Sequence, residues 1–110
     1  MIETPVKTLF QPATDEISLP AVMGALSDPV RVQIVRTLAA EGETVCGTLD
    51  LGVSKATRSH HYRVLREAGL TNTRVEGTRR YVSLRREDLD ARFPGLLDAL
   101  LSAAERSVAS

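Results

Sequence analysis

Several residue types are scarce in this 110-residue chain, and each scarcity excludes a class of protein. The single cysteine, Cys46, excludes an intrachain disulfide and is typical of a reducing compartment. No apolar run approaches the about eighteen residues that cross a membrane, and the N-terminus lacks the pattern of a secretory signal. With two Tyr, two Phe and no Trp, a surface that stacks single-stranded bases is not expected. We therefore expect one small cytoplasmic domain without a membrane partner.

The residues that an enzyme would need are also missing. No set of nucleophile, base and orienting side chain is recognisable, and no glycine-rich loop could cradle a phosphate. We therefore expect that the chain is not an enzyme.

What the chain does have is a segregated distribution of charge. The whole is neutral, but residues 54–86 carry nine basic and two acidic side chains and net +7. Residues 1–53 net −4 and residues 87–110 net −3. The basic side chains of the segment, called the basic stripe below, are Lys55, Arg58, Arg63, Arg66, Arg74, Arg79, Arg80, Arg85 and Arg86. Such a stripe on an acidic body favours a polyanionic partner, and double-stranded DNA is the commonest one.

The N-terminal residues differ in pattern from the rest. Residues 1–16 contain two prolines and show no helical period, so we expect a mobile or loosely docked arm. Residues 17–110 are predicted to form the domain, with a C-terminal helix over about 94–107 that begins near Pro94.

Helix signals follow one another through the first half of the domain. Helix signals begin at Ser18. Asp28 and Ser54 are predicted N-caps, and proline follows the aspartate at the first helical position. The second helix is expected to end at Gly42, and the third runs to Ala68 before a glycine. Between them, residues 45–51 are predicted to form a short helix of weak propensity.

A hairpin follows the third helix. Strand-like runs at 73–75 and 80–84 flank Glu76-Gly77-Thr78, and the glycine suits a hairpin turn. A helical turn is expected over 87–92. Helix, short helix, turn, capped helix and hairpin make a winged helix-turn-helix, a mainly α fold with a small β-hairpin.

Three stretches resemble a known family: ALSDPVRVQIVRTLA (25–39), SKATRSHHYRVLREAGL (54–70) and EGTRRYVSL (76–84). They are similar to the ArsR/SmtB family of bacterial transcriptional repressors. The resemblance covers about residues 18–86, including the Asp-Pro-x-Arg entry and the Val-Leu-Arg-Glu-Ala-Gly-Leu exit. It implies a dimeric winged-helix protein that binds inverted repeats and releases them on a signal.

The outward face of the 54–68 helix is predicted to read DNA, because Ala56, Ser59 and Arg63 lie opposite the apolar side. Base-edge contacts are expected from the N-terminal half of the helix, and phosphate contacts from its ends and from the 73–84 hairpin, called the wing below, which would flank it. The predicted DNA-binding residues are Ser54, Lys55, Ala56, Thr57, Ser59, His60 and Arg63 on the helix, with Arg79 and Arg80 on the wing. The alternative is that this helix face and hairpin are merely solvated and charged.

Two side chains of the helix need separate interpretations. Arg58 stands where the family pattern has an apolar residue, and we expect it to contact a phosphate or to pair with an acid such as Asp50. His61 is expected to face the core and to be satisfied by a backbone group. It does not form a metal pair with His60, since neighbouring helix residues do not converge on one ion.

The metal ligands that the resemblance implies are incomplete. Thr44-Val45-Cys46 stands where soft-metal branches carry Cys-Val-Cys, and one thiolate does not make such a site. The C-terminal helix has no histidine for a zinc site. We expect no metal and no cofactor, and the inducer stays open. Cys46 is either a redox switch or a small buried apolar side chain.

Two apolar helical faces exceed what a small core can bury. They comprise Leu19, Val22 and Met23 in the first helix, and Leu96, Leu97, Leu100 and Leu101 in the last. The family resemblance implies that these helices pair across a twofold axis, so we expect a homodimeric repressor on a pseudo-palindromic operator. The alternative is a winged-helix protein–protein interaction module without specific DNA binding, which would need an apolar hot spot on the exposed helix.

Overall fold

The fold is a bundle of helices with a three-stranded antiparallel sheet, seen in a computed structural model that describes residues 9–109. After a 3-10 turn at Thr14–Glu16, the elements are α1 (Leu19–Ala25), α2 (Pro29–Glu41), β1 (Thr44–Val45), α3 (Lys55–Glu67), β2 (Thr71–Glu76), β3 (Arg79–Leu84), α4 (Arg86–Arg92) and α5 (Leu96–Ala109). The predicted winged helix-turn-helix is confirmed. No helix in the described part is long and apolar enough to cross a membrane.

The three predicted helix starts are confirmed by their cap hydrogen bonds. Side-chain oxygens of Ser18, Asp28 and Ser54 accept amides from the first turns of α1, α2 and α3 at 3.2, 2.8 and 3.2 Å. Burial alone would raise the pKa of Asp28, but the two amides that it caps outweigh this and hold the pKa below its ordinary value. These caps fix where α2 and α3 begin, and with them the start of the predicted reading helix.

The short helix predicted over 45–51 is wrong. Thr44 and Val45 instead form β1 and pair with β3, and the next amide, of Cys46, donates to a β3 carbonyl at 2.7 Å. The β-branched pair suits a strand, and Gly47 then takes a φ of +98°, which a right-handed helix does not contain. The wing therefore has a third strand, in the order β1-β3-β2, and β2 forms one free edge.

The core lies where α1, α2, α3 and the sheet meet. Its largest fully buried side chains are Ile17, Ile34, Leu65, Leu70, Val22, Val35, Val82 and Thr71. Two residues predicted on the dimer surface, Val22 and Leu97, are 1% and 2% exposed and belong to this core. Each supplies the inward side of its own amphipathic helix in the single chain; Leu97 also lines the groove between α2 and α5, and the part of both in a dimer surface stays a prediction.

Residues 10–17, called the strap below, lie against β2, the end of α3 and α4. Three of its backbone carbonyls accept hydrogen bonds from arginines of the domain. Ile17 packs beside Gly69, whose φ of +88° ends α3 and where an added Cβ would lie 2.6 Å from the isoleucine. Residues 10–16 of the predicted arm are thus docked on the domain, whereas residues 1–8 lie outside the described residues and the mobility expected there stays a prediction.

Candidate nucleic-acid interface

The first two turns of α3 present the residues that were predicted to read DNA. All of the predicted helix residues are exposed: Ser54, Lys55, Ala56, Thr57, Ser59, His60 and Arg63. On the opposite side, Tyr62 and Leu65 are buried in the core. Because the inward side fixes the helix and the outward side is small or polar, α3 can approach a DNA groove closely.

At the start of α3, the two residues predicted to donate hydrogen bonds to phosphates, Ser54 and Thr57, are hydrogen-bonded to each other. Ser54 Oγ accepts the Thr57 amide at 3.2 Å and donates its own proton to Thr57 Oγ1 at 3.0 Å. The Ser54 hydroxyl thus donates its proton within the cap, whereas the Thr57 hydroxyl donates no hydrogen bond to another of the described residues. Of the two, Thr57 is the donor that a phosphate oxygen could accept from.

His60 and Arg63 form a pair on the exposed face. Arg63 Nη2 donates to His60 Nδ1 at 3.2 Å. A guanidinium has donors only, so Nδ1 must accept and the ring proton lies on Nε2. His60 therefore offers an N–H donor, the partner that acceptor atoms on guanine, adenine or thymine require in the major groove.

The wing carries one paired and two unpaired arginines. Arg74 donates to Glu43 at 3.0 Å and to Glu76 at 3.2 Å, and its guanidinium lies 4.4 Å from the centre of the Tyr81 ring. Arg79 and Arg80 are exposed, and neither side chain has a hydrogen-bond or ion-pair partner in the described part of the chain. The two wing arginines that were predicted to contact DNA, Arg79 and Arg80, are therefore the two wing arginines without a side-chain partner among residues 9–109.

The whole basic stripe divides in the same way. Four of its nine side chains are bonded to groups of the protein. Arg66 bonds to the Phe10 carbonyl, Arg74 to Glu43 and Glu76, Arg85 to the Pro12 carbonyl and Asp88, and Arg86 to Asp98. The remaining five are Lys55, Arg58, Arg63, Arg79 and Arg80, and none of them meets a carboxylate within residues 9–109. Sequence reasoning missed this division, since the partners lie up to 73 positions away.

Arg66 shows what the paired arginines do. It is only 8% exposed, and its Nε donates to the Phe10 carbonyl at 3.1 Å. Burial lowers its pKa, because the charged guanidinium is taken out of water without a carboxylate partner. It binds the strap rather than presenting its charge to solvent.

Arg58 is half-buried, with its guanidinium close to Gly47. The predicted ion pair with Asp50 is wrong, since none of the ion pairs within residues 9–109 joins them. The turn that replaces the expected short helix directs Asp50 to the amide of Gly52 at 3.1 Å instead. A phosphate contact by Arg58 stays a prediction.

His61 is buried, as expected, but the predicted backbone partner is wrong. Its Nδ1 lies 3.1 Å from Arg31 Nη1, and Arg31 Nε donates to the Ala25 carbonyl at 2.6 Å. The imidazole nitrogen accepts from the guanidinium, which has no acceptor. One arginine thus links the end of α1, the start of α2 and the inner side of α3.

Cys46 is half-buried beside the wing. Burial raises the pKa of its thiol, against the opposing effect of the Arg58 and Arg80 charges. The described residues contain no group of three or more His, Cys, Asp or Glu side chains placed to hold a metal ion. With Thr44 in a strand and one thiol beside it, the residues here do not fit a thiolate metal site.

A capped helix projecting from a three-helix core, flanked by a hairpin with free arginines, defines a winged helix-turn-helix protein of the kind that binds DNA. The profile of the bacterial regulatory protein arsR family matches residues 28–73, from the N-cap of α2 into β2. This chain belongs to the ArsR family of bacterial transcriptional regulators.

Relatives cover most of the chain. It is 43% identical over 82 residues to the uncharacterized HTH-type transcriptional regulator YceK of Bacillus subtilis, covering 72% of this chain and 82% of YceK. It is 33% identical over 108 residues to the biofilm growth-associated repressor of Agrobacterium fabrum, covering 96% and 88%. It is 45% identical over 65 residues to a cadmium resistance regulatory protein CadC homolog of Staphylococcus aureus, covering 57% and 54%.

A solved structure agrees with the fold. A fragment of a possible transcriptional regulatory protein from Mycobacterium bovis superposes with a TM-score of 0.59 at 30% identity, covering 76% of this chain and 90% of that one. The family of this chain is one of DNA-binding regulators, and no enzyme is among the relatives named here.

Proposed function

We propose that this protein is a homodimeric, sequence-specific transcriptional repressor that places α3 in the major groove of an inverted-repeat operator. Lys55, Ala56, Ser59 and His60 would meet base edges. Arg63 and the wing arginines, Arg79 and Arg80, would meet phosphates or the adjacent minor groove.

One observation carries this proposal: four members of the basic stripe that meet no carboxylate within residues 9–109, Lys55, Arg63, Arg79 and Arg80, lie on the exposed side of α3 and on the wing. A merely charged surface helix would be expected to pair its arginines with nearby acids, as Arg74 and Arg86 do. Lys55, Arg79 and Arg80 are instead exposed and without side-chain partners among the described residues. Unneutralised cations on a projecting helix and hairpin suit the phosphates that flank a DNA groove.

The proposed dimer surface combines α1 with a groove between α2 and α5. Leu19 and Met23 on α1 are 44% and 46% exposed. The groove has a volume of about 800 Å³, and its apolar lining includes Leu26, Pro29, Val32, Leu100 and Leu101. The partly exposed Leu96 begins α5. Apolar surface of this extent, on the two helices that the resemblance assigns to pairing, supports a second copy as its partner.

The dimer is tested by light scattering on two matched variants. Met23 and Val75 are equally exposed, at 46% and 45%, but Val75 lies on the wing. We expect Met23→Glu to shift the protein towards monomer, because a charge would be buried in the interface. Val75→Glu should stay dimeric. A monomeric wild type, or a dimer unaffected by Met23→Glu, would contradict this assignment.

Operator binding is tested by selecting duplexes from a randomised library with the purified, reduced protein. The expected result is enrichment of an inverted repeat whose half-sites are about one helical turn apart. Failure to enrich any sequence, with weak and salt-sensitive binding only, would reject the proposal. The interaction-module alternative would then gain, although the exposed face of α3 offers no large apolar side chain for a partner.

A further inference from the structure

We propose that the strap is a positioning element for DNA binding, with Gln11 as its positioning residue. It holds the wing at a fixed angle to α3, so operator affinity depends on a segment that itself needs no DNA contact. This inference rests on the proposed DNA-binding function.

Gln11 completes the free edge of the sheet. Its Oε1 accepts the Thr73 amide at 2.7 Å, and its Nε2 donates to the Thr73 carbonyl at 3.2 Å. Both backbone groups point away from β3, on the edge of β2 that no strand covers. One side-chain amide thus replaces the pair of bonds that a neighbouring strand would make.

The rest of the strap is anchored at both ends. Arg66, in the last turn of α3, bonds to the Phe10 carbonyl at 3.1 Å, and Arg85 bonds to the Pro12 carbonyl at 2.7 Å. Thr14 donates to Asp88 Oδ1 at 2.7 Å, and the other oxygen of that carboxylate accepts from Arg85. Hydrogen bonds donated by charged groups are stronger than those between neutral groups, so the bonds from Arg66 and Arg85 hold the strap more firmly than neutral donors would.

These contacts join three parts that must keep their relative positions on DNA. Phe10 touches the end of α3, Gln11 touches β2, and Pro12 touches the residue between β3 and α4. The chain itself joins α3 to β2 by only a few residues around Gly69. Apart from the strap, that connection, the short β1 and the buried side chains of Thr71 and Val82 hold the hairpin, and the Gln11 bonds add the contact at its outer edge.

The expected loss of operator affinity follows from the fraction of the protein in which the strap is bound to the domain, called the docked state below. If only the docked protein holds both α3 and wing in register with DNA, the apparent Kd rises as the docked fraction falls. Removing two hydrogen bonds of ordinary net strength lowers the equilibrium constant for docking about tenfold, which is the largest factor by which the docked fraction can fall. No phosphate contact is lost, so the slope of affinity against salt should not change.

The test compares Gln11→Met, which keeps the side-chain length without its polar atoms, with Ala13→Ser at an exposed strap position. Three measurements are made on each full-length protein: Kd for the selected operator at several salt concentrations, hydrogen exchange of the Thr73 amide, and the urea midpoint. Thr14→Val serves as a second variant that weakens the strap at its other end.

For Gln11→Met we expect faster exchange at Thr73, operator binding weakened by up to about tenfold and an unchanged salt slope. The urea midpoint should move little, and Ala13→Ser should behave as wild type. Unchanged exchange at Thr73, or faster exchange with unchanged affinity, would overturn the proposal. A smaller salt slope would also overturn it, since Gln11 would then act at the phosphates. Failure of the wild type to bind any duplex would reject DNA binding itself, before any variant is compared.

Discussion

The division of the basic stripe into paired and unpaired arginines gives a quantitative prediction on the wing. Arg74 and Arg79 both lie on the hairpin, but Arg74 is held by two glutamates, whereas Arg79 has no side-chain partner among residues 9–109. The hydrogen bond from Arg74 to Glu43 also raises its pKa, so its charge is already matched within the protein. The same substitution to glutamine should therefore have different consequences at the two positions.

The magnitude comes from counterion release. Each phosphate neutralised adds about 0.9 to the slope of log K against log salt concentration. Loss of Arg79 from both copies of a dimer should therefore reduce the slope by about 1.8, whereas loss of Arg74 should leave it unchanged. If only the five side chains of the basic stripe that meet no carboxylate within residues 9–109 contact phosphates, the slope of the wild-type dimer is about −9. If all nine side chains of the basic stripe contacted phosphates in both copies, the slope would be about −16.

The assay is fluorescence anisotropy of a labelled operator, with KCl varied from about 50 to 300 mM. Wild type, Arg79→Gln and Arg74→Gln are measured in parallel, and circular dichroism checks that each variant is folded. Equal reductions in slope for the two variants, or a wild-type slope well beyond −9, would show that pairing within the free protein does not decide which arginines meet phosphates.

Three further results are expected. Gly69→Ala should lower the free energy of unfolding by about 2 kcal/mol in urea, because a Cβ at φ +88° would lie 2.6 Å from a strap side chain; Gly77→Ala, in open space, should cost less. The Thr14 hydrogen bond lowers the pKa of Asp88 in the folded protein. The stability that this carboxylate contributes is therefore present above the ordinary aspartate pKa and is lost as the pH falls through the lower folded value. Asp88→Asn should make this loss of stability in acid smaller, as measured by urea titrations from pH 6 downwards. Cys46 should react with a thiol reagent more slowly in the folded than in the urea-unfolded chain, because burial raises its pKa; rapid reaction with peroxide at neutral pH would instead favour the redox switch.

The helix boundaries could be predicted because their causes are local. An N-cap oxygen satisfies amides two or three residues away, and proline after Asp28 or glycine at 42 acts on its own backbone. The exposed side of α3 could be predicted for the same reason, since its apolar period is contained in the helix itself.

The remaining features depend on distant residues. Thr44 and Val45 form a strand only because Tyr81 and Val82 are available beside them, so propensity alone gave a weak helix instead. Arg74 looks free until the fold brings Glu43, 31 positions earlier, to its side. The strap was missed for the same reason, because Gln11 and Thr73 are 62 positions apart.

The central claim is that the outward side of α3 reads the bases, and a change of specificity tests it most directly. Duplex selection is repeated with His60→Asn, which alters one predicted base contact at the surface and leaves the buried side intact. We predict that both selections give an inverted repeat with the same spacing, and that the preferred base changes at one symmetric position in each half-site. An identical set of selected sequences would contradict the assignment of His60 to a base edge, and the same result for Lys55→Ala would contradict α3 as the reading helix.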